Sequence, residues 1–313
     1  MPADFNEKLS RNGVKIAFLI VDDMKIAIYG NMYQEDYLDQ LSDFLDELSR
    51  SDIKVEIDSK FYNYLSRMLP KELPVDGVIV GNDFEADMAI SIGGDGTFLR
   101  TARWVGDKQI PILGINTGHL GYLADITVDE MIGAVEDLKN GLYKVENRAL
   151  IEVTSTRKEA IVDWNYALNE VAIIKQDTAS MIEVETAVDG MDLAVYKGDG
   201  LIVSTPTGST GYNLSVGGPI VEPTAPNWII SPIAAHSLTM RPLVISDSRE
   251  LTITTSSRAT NYRVSLDGRS VTLPVGSTIK LRKAPFMVKV VQRLKHNFGS
   301  TLRNKLLWGV DKR

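Results

Sequence analysis

The chain has no cysteine, so a disulfide framework, a thiolate metal site and a cysteine nucleophile are all excluded. It has three histidines, His119, His236 and His296, far apart and without H-x-x-x-H spacing, which argues against a structural transition-metal site. No apolar run approaches the ~20 residues of a membrane span. The longest early run, Ile16 to Val21, lies between Asp4, Glu7, Asp22 and Asp23 and lacks the basic start of a signal peptide. Positive charge is also in deficit: 34 basic against 41 acidic residues leave a formal net charge of −7. That balance argues against non-specific nucleic-acid binding and against a basic membrane-surface patch. The expected setting is the cytoplasm. The G-x-x-x-x-G-K-[S/T] run of a P-loop occurs nowhere in the chain.

What the chain does have is 313 residues, 44% of them hydrophobic. That is enough for two domains of ordinary size. Its most informative stretch is Gly93-Gly94-Asp95-Gly96-Thr97. An apolar run, Met88 to Ile92, precedes it and reads as a buried parallel strand. Phe98, Leu99, Ala102 and Trp104 follow at helical spacing. A strand, a glycine turn and a helix in that order point free N–H groups and the positive end of the helix dipole at an anion. Asp95 is out of place in a phosphate cradle, because a carboxylate repels the ligand unless it holds a metal ion or takes a proton. The alternative is that Asp95 caps the helix.

The first half alternates strands with helices. Strands are expected at Lys25 to Tyr29, at Lys54 to Ile57, before Gly93 and at Pro111 to Ile115. Gln34 to Leu48 is amphipathic, Phe61 to Met68 reads as helical and Pro70 to Gly81 as loop. Thr127 to Glu130 has capping-box spacing and opens a helix to about Lys139, ended by Asn140-Gly141. This βαβα order predicts a doubly wound parallel sheet, with ligands at the carboxyl ends of its strands. Past residue 147 the period changes to two. Asp189-Gly190 and Asp267-Gly268 are tight-turn signals between such runs. The second half therefore reads as an antiparallel β domain. The expected division is a 1–23 extension, an α/β domain over 24–146, a β domain over 147–290, and a tail over 291–313 that returns to the first domain. Met24 opens the first clean strand. Lys15-Ile16-Ala17 echoes Lys25-Ile26-Ala27, so residues 1–23 read as lying outside the fold, the alternative being an extra strand or arm.

Three further clusters lie in the β half. Asn169-Glu170 interrupts an apolar strand, and an amide with a carboxylate suits an adenine edge and ribose hydroxyls; the alternative is an exposed turn. Lys197-Gly198-Asp199-Gly200 ends one strand and precedes another. There Asp199 is either a turn carboxylate or an acceptor for a ligand. Ser204 to Ser215 packs hydroxyls, glycines and the ring of Tyr212 into twelve positions between Val203 and Val216, which suits a nucleotide better than a linker.

G-G-D-G-T, N-T-G-H-L-G, N-E, G-D-G and T-P-T-G-S-T-G-Y occur in this order, and in that order the chain from Met24 resembles the NAD kinase family. The resemblance implies an N-terminal α/β domain and a C-terminal β domain with the active site between them. It also implies transfer of the γ-phosphate of ATP to the 2′-hydroxyl of the adenosine ribose of NAD, a divalent ion such as Mg²⁺, and a dimer or tetramer. It gives Asp95 the role of proton acceptor, with a part in metal binding. Gly96 and Arg100 are placed at the dinucleotide and its phosphates. Asn169, Glu170, Lys197, Asp199, Thr207, Thr210, Gly211, Tyr212, Asn213, Leu214, Ser215 and Ala234 fall on dinucleotide-binding positions. His119 is expected to be structural, and His236 matches a residue common in the family. The chain departs from the family at Gly211 (often alanine), Lys197 (often arginine) and Arg269 (often glutamine), and Arg269 is not counted as a site residue. A lipid kinase with the same glycine loop, or a non-catalytic NAD(P) sensor, are the alternatives.

Overall fold

A computed structural model describes residues 6–9, 15–18, 24–118, 121–124, 126–157, 163–177, 180–294 and 297–309. The chain divides into two compact units, 1–146 with 288–313, and 147–287.

The first unit is built on a parallel sheet. Its strands run in the order Gly77–Ile79, Lys54–Asp58, Lys25–Gly30, Met88–Ile92, Ile112–Asn116. Met88–Ile92 is buried at every position, as a central strand covered on both faces should be. Chain order reverses between Lys25–Gly30 and Met88–Ile92, which places the glycine turn after Ile92 at the switch point of the sheet. Helix Leu38–Arg50 turns Leu41, Phe44, Leu45 and Leu48 inward. Helix Ser59–Met68 is capped by Asp58, whose carboxylate accepts from the Lys60 and Phe61 amides. Phe61 lies so close to Gly30 that a Cβ there would come within 2.3 Å of its ring. The capping box at Thr127 and Glu130 forms; it opens one 3-10 turn, Val128–Glu130, and helix Met131–Lys139 follows. Gly77–Ile79 corrects the loop reading of 70–81. It is a three-residue edge strand with Val78 exposed, too short to carry a period.

The second unit contains an antiparallel sheet in the order Leu243–Ser246, Asn227–Ile233, Gly200–Ser204, Glu170–Lys175, Asn261–Leu266, Arg269–Pro274. A second set pairs Met191–Gly198, Ile182–Val188 and Leu251–Ser257 with residues 278–281 of the long strand Thr278–Arg293, whose residues from 288 on belong to the first unit. Ile173, Val203, Trp228 and Tyr262 from the first set share one core with Val184, Tyr196, Ile253 and Leu281 from the second. Both Asp-Gly signals are two-residue hairpin turns with positive φ at each residue: 49° and 79° at Asp189-Gly190, 48° and 81° at Asp267-Gly268.

Near the N-terminus, Asn6–Leu9 and Lys15–Phe18 pair antiparallel with each other, and among the described residues neither joins another sheet. Met24, by contrast, is buried in the first unit's core, and its carbonyl accepts from the Lys54 amide. Deleting residues 1–22 is therefore expected to leave activity and melting temperature almost unchanged, since an isolated two-stranded hairpin adds little. Thermal unfolding of the two forms checks this. A large fall in melting temperature, or insolubility of the short form, would make the segment part of the fold.

Candidate active site

The first unit positions Asp95. Strand Met88–Ile92 ends in Gly93, at φ 148°, where a Cβ would come within 2.3 Å of Thr97 Oγ1. Helix Asp95–Val105 starts immediately, with Gly94 as its N-cap. Among the described residues, no heavy atom beyond its chain neighbours lies within 4 Å of where a Cβ of Gly94 would stand, so they leave the turn open on that side. The Arg100 guanidinium folds back over it: Nη2 donates to Thr97 Oγ1 at 3.0 Å, and Nη1 lies 3.8 Å from the Cβ position of Gly96. An open glycine turn beneath an exposed guanidinium suits a phosphate.

Asp95 is not the cap of its own helix. Its carboxylate reaches across to the following loop, where Oδ2 accepts from the Tyr122 amide at 2.7 Å. Oδ1 accepts from Leu123 at 2.9 Å and Ala124 at 3.2 Å. A carboxylate offers about four acceptor positions. Among the described residues three are occupied, and the one left is on Oδ2. Gly121 makes the approach possible, since a Cβ there would lie 2.1 Å from Oδ1. The same loop is held on its carbonyl side by Lys305, from helix Phe298–Leu306. Its Nζ donates to Gly121 O and, at 3.1 Å, to Ala124 O, and it lies 5.9 Å from the centre of the Tyr122 ring. Burial, and secondarily the Asp95 charge, push the Tyr122 phenol up to about 12. His119 lies outside the described residues.

The second unit gathers the remaining residues in two places. Glu170 pairs with Ser204 and Ile174 with Gly200, so strands Glu170–Lys175 and Gly200–Ser204 run side by side in opposite directions. At the Ser204 end, the Thr205 amide donates to Asn169 O at 2.9 Å and Thr205 Oγ1 to Leu168 O at 2.6 Å. Gly208 packs on the same carbonyl, and a Cβ there would lie 2.1 Å from Asn169 O. This brings Asn169, Glu170, Thr207, Thr210, Gly211 and Tyr212 together. The threonine-rich segment is not plain loop: Thr207–Thr210 and Tyr212–Ser215 are two short helical turns. Thr207 is buried, whereas Tyr212 and Ser215 are exposed. Asn213 is buried and fully engaged. Its Nδ2 donates to Ser209 O and Pro219 O, and its Oδ1 accepts from Ser231 Oγ, so its side chain serves the fold.

The carboxylate and amide side chains behave differently. Asn169 Oδ1 and Glu170 Oε2 are buried without a hydrogen-bond partner among the described residues. Burial, and then the charge of Asp267, push Glu170 up to about 7, against the Tyr212 amide that lowers it. The common alanine at position 211 would set its Cβ 3.1 Å from Glu170 Oε2, so Gly211 gives that oxygen room.

Lys197, Asp199 and Ala234 lie at the other end of the strand pair, beyond Gly200. Along the four steps from Gly200 to Ser204 the two groups are about 13 Å apart. There the Asp199 amide donates to Ile233 O and the His236 amide to Lys197 O. Ala234 is exposed at φ 46°, a conformation an L-residue holds only when its surroundings require it. Lys197 pairs with Glu183 at 2.7 Å and Asp199 with Lys175 at 2.6 Å. Arg269 is a structural clamp, donating to Trp164 O at 2.7 Å and Tyr166 O at 2.8 Å. Sequence reasoning passed over Asp267, which showed only as a turn former, and Lys305, which lies 181 residues beyond Ala124.

Two family models match the chain, the ATP-NAD kinase N-terminal domain over residues 34–143 and the ATP-NAD kinase C-terminal domain over residues 168–293. An NAD kinase of Bacteroides fragilis is 44% identical over 290 residues, 93% of this chain and all of the relative. The chain belongs to the NAD kinase family. An NAD kinase of Cytophaga hutchinsonii is 40% identical over 295 residues, again across the relative's whole length. Among solved structures, an Archaeoglobus fulgidus NAD kinase in complex with ATP matches at TM-score 0.69 and 26% identity, over 90% of this chain and 99% of that one. A yeast NADH kinase complexed with NADH shares the fold at TM-score 0.87 and 22% identity, over 99% and 96%. These relationships support the NAD kinase reading and neither the lipid-kinase nor the sensor alternative.

Gly208→Ala tests the packing that holds the Thr207–Thr210 turn against Asn169. The Cβ meets backbone that cannot rotate away, so a loss of about 1–3 kcal/mol is expected. A thermal midpoint equal to the parent's would show that the Thr207 turn is not held against Asn169.

Proposed function

We propose that this chain is an NAD kinase, transferring the γ-phosphate of ATP to the 2′-hydroxyl of the adenosine ribose of NAD to give NADP. The observation that carries the reading at the level of residues is the pair of buried acceptors without partners among the described residues, Asn169 Oδ1 and Glu170 Oε2, beside the exposed ring of Tyr212. Buried polar atoms are normally satisfied, and ribose hydroxyls or a base edge would satisfy these. Asp95 Oδ2, with one acceptor position left, takes the proton of the 2′-hydroxyl. The O–H bond breaks, the ribose oxygen bonds to the γ-phosphorus, and the bond from that phosphorus to the β-γ bridging oxygen breaks, releasing ADP. Gly96 and Arg100 hold phosphate oxygens. Thr207, Thr210, Gly211, Tyr212, Leu214 and Ser215 line the dinucleotide, with Asn213 acting through its backbone. Lys197, Asp199 and Ala234 form a second contact group.

Among the described residues no three His, Cys, Asp or Glu side chains cluster to cage a metal ion. A Mg²⁺ ion keeps several waters and binds through substrate phosphates with one or two carboxylates, which fits this donor set. Asp95 is the carboxylate the ion would sit nearest, but its one open acceptor position goes to the ribose proton, so the substrate phosphates would be the ion's chief ligands. When bound, the ion neutralises charge on the triphosphate. We place the protein in the cytoplasm as a homo-oligomer acting on small molecules, away from membranes and nucleic acid. The acidic balance supports the exclusion of membranes and nucleic acid, and among the described residues no helix is long and apolar enough to cross a membrane. Incubation with ATP, Mg²⁺ and NAD, followed by an NADP-specific dehydrogenase assay, tests the reading. No NADP above the protein-free control would refute it.

A further inference from the structure

The turn between Asn261–Leu266 and Arg269–Pro274 grips the chain at 164–170. The Asp267 carboxylate accepts from three successive amides, Leu168 at 2.7 Å, Asn169 at 2.8 Å and Glu170 at 3.2 Å. The Asp267 amide donates back to Glu170 O at 3.2 Å. Arg269 takes the carbonyls of Trp164 and Tyr166. All six bonds use the backbone of 164–170, and none uses the side chains of Asn169 or Glu170, whose buried Oδ1 and Oε2 stay without a partner among the described residues. Asp267 reaches this position only through its φ of 48° in the hairpin turn.

We propose that Asp267 is a positioning residue for the dinucleotide. It acts through Asn169 and Glu170, fixing their backbone so that both side-chain acceptors stay presented, and setting a second carboxylate beside Glu170. The inference rests on reading Asn169 and Glu170 as dinucleotide contacts. Its second consequence is a proton-linked affinity. Burial acts first on both carboxyls and raises each; Asp267 from the turn raises Glu170 further and the Tyr212 amide lowers it, while the Leu168, Asn169 and Glu170 amides and the Arg269 charge lower Asp267. With Glu170 raised to about 7, the protonated acid prevails below that pH and accepts fewer hydroxyls, so KM for NAD should rise as pH falls through neutrality.

The experiment measures kcat and both KM values for the full chain between about pH 5 and about pH 9, in wild type, Asp267→Asn and Asp267→Ser. In the folded variants KM for NAD is expected to rise about tenfold at alkaline pH, from loss of charge-assisted bonds, with KM for ATP nearly unchanged. The pH midpoint of KM for NAD should also move down, because a neighbouring anion is gone. A merely structural role would lower melting temperature and leave that midpoint in place. An unchanged KM for NAD and an unchanged midpoint would overturn the proposal, as would failure of both variants to fold, which would make Asp267 a folding residue. A wild type that forms no NADP defeats the dinucleotide reading itself. An active wild type with indifferent variants defeats only the role of Asp267.

Discussion

Replacing Asp95 with asparagine is expected to lower turnover by about 10²–10⁴, the usual contribution of a general base. One carboxylate oxygen decides this. Oδ1 is bound to two amides and Oδ2 to one, so Oδ2 alone has room for a proton. An amide nitrogen in the Oδ2 position cannot accept that proton, and it also points its own hydrogens at the Tyr122 amide. The loop at 121–124 therefore loses one anchor, at about 1–3 kcal/mol for an unsatisfied donor. Lys305, on the carbonyl side of the loop, should keep it folded. The measurement is kcat beside a thermal melt. A kcat near wild type in a folded Asp95→Asn protein would remove Asp95 from the chemistry and leave it as the pin of the loop.

Glu170→Ala is expected to weaken NAD binding by about tenfold to 150-fold for each charge-assisted hydroxyl bond lost, while ATP binding changes little. Stability should move the other way. Glu170 is raised from 4.5 to about 7, so the folded chain holds this proton more tightly than the unfolded one. Its contribution is most favourable below about pH 4.5 and is lost as pH rises to about 7. Above neutrality the ligand-free variant should melt no lower than the parent. Calorimetric titration with NAD and a melt at alkaline pH check both halves. An unchanged affinity for NAD would return Glu170 to a structural role.

The elements that carry a period were legible. Met88–Ile92 and the turn after it were readable because a continuous apolar run, glycines and a helical period are all local signals. The two Asp-Gly hairpins were readable for the same reason. What was hidden depends on pairing across long stretches of chain. Gly77–Ile79 is a strand only because Lys54–Asp58 lies beside it. Asp95 looked like either a base or a cap, and its actual partners lie 27 to 29 residues on. Asp267 is 97 to 99 residues from the amides it holds. Asn213 stood in a motif that suggested ligand contact, yet its amide is consumed by Ser209, Pro219 and Ser231. Nor does the order of motifs tell that Lys197 and Asp199 lie at the opposite end of a strand from Asn169 and Glu170, since strand direction decides this.

The most direct test of the account is to follow the phosphate itself. ATP labelled at the γ-phosphorus is incubated with NAD, Mg²⁺ and the full chain, and the products are separated and the label located. The account predicts ADP and NADP in equal amounts, with the label on the 2′-oxygen of the adenosine ribose. Label remaining in ATP or released as free phosphate, with NAD recovered unchanged, would contradict it.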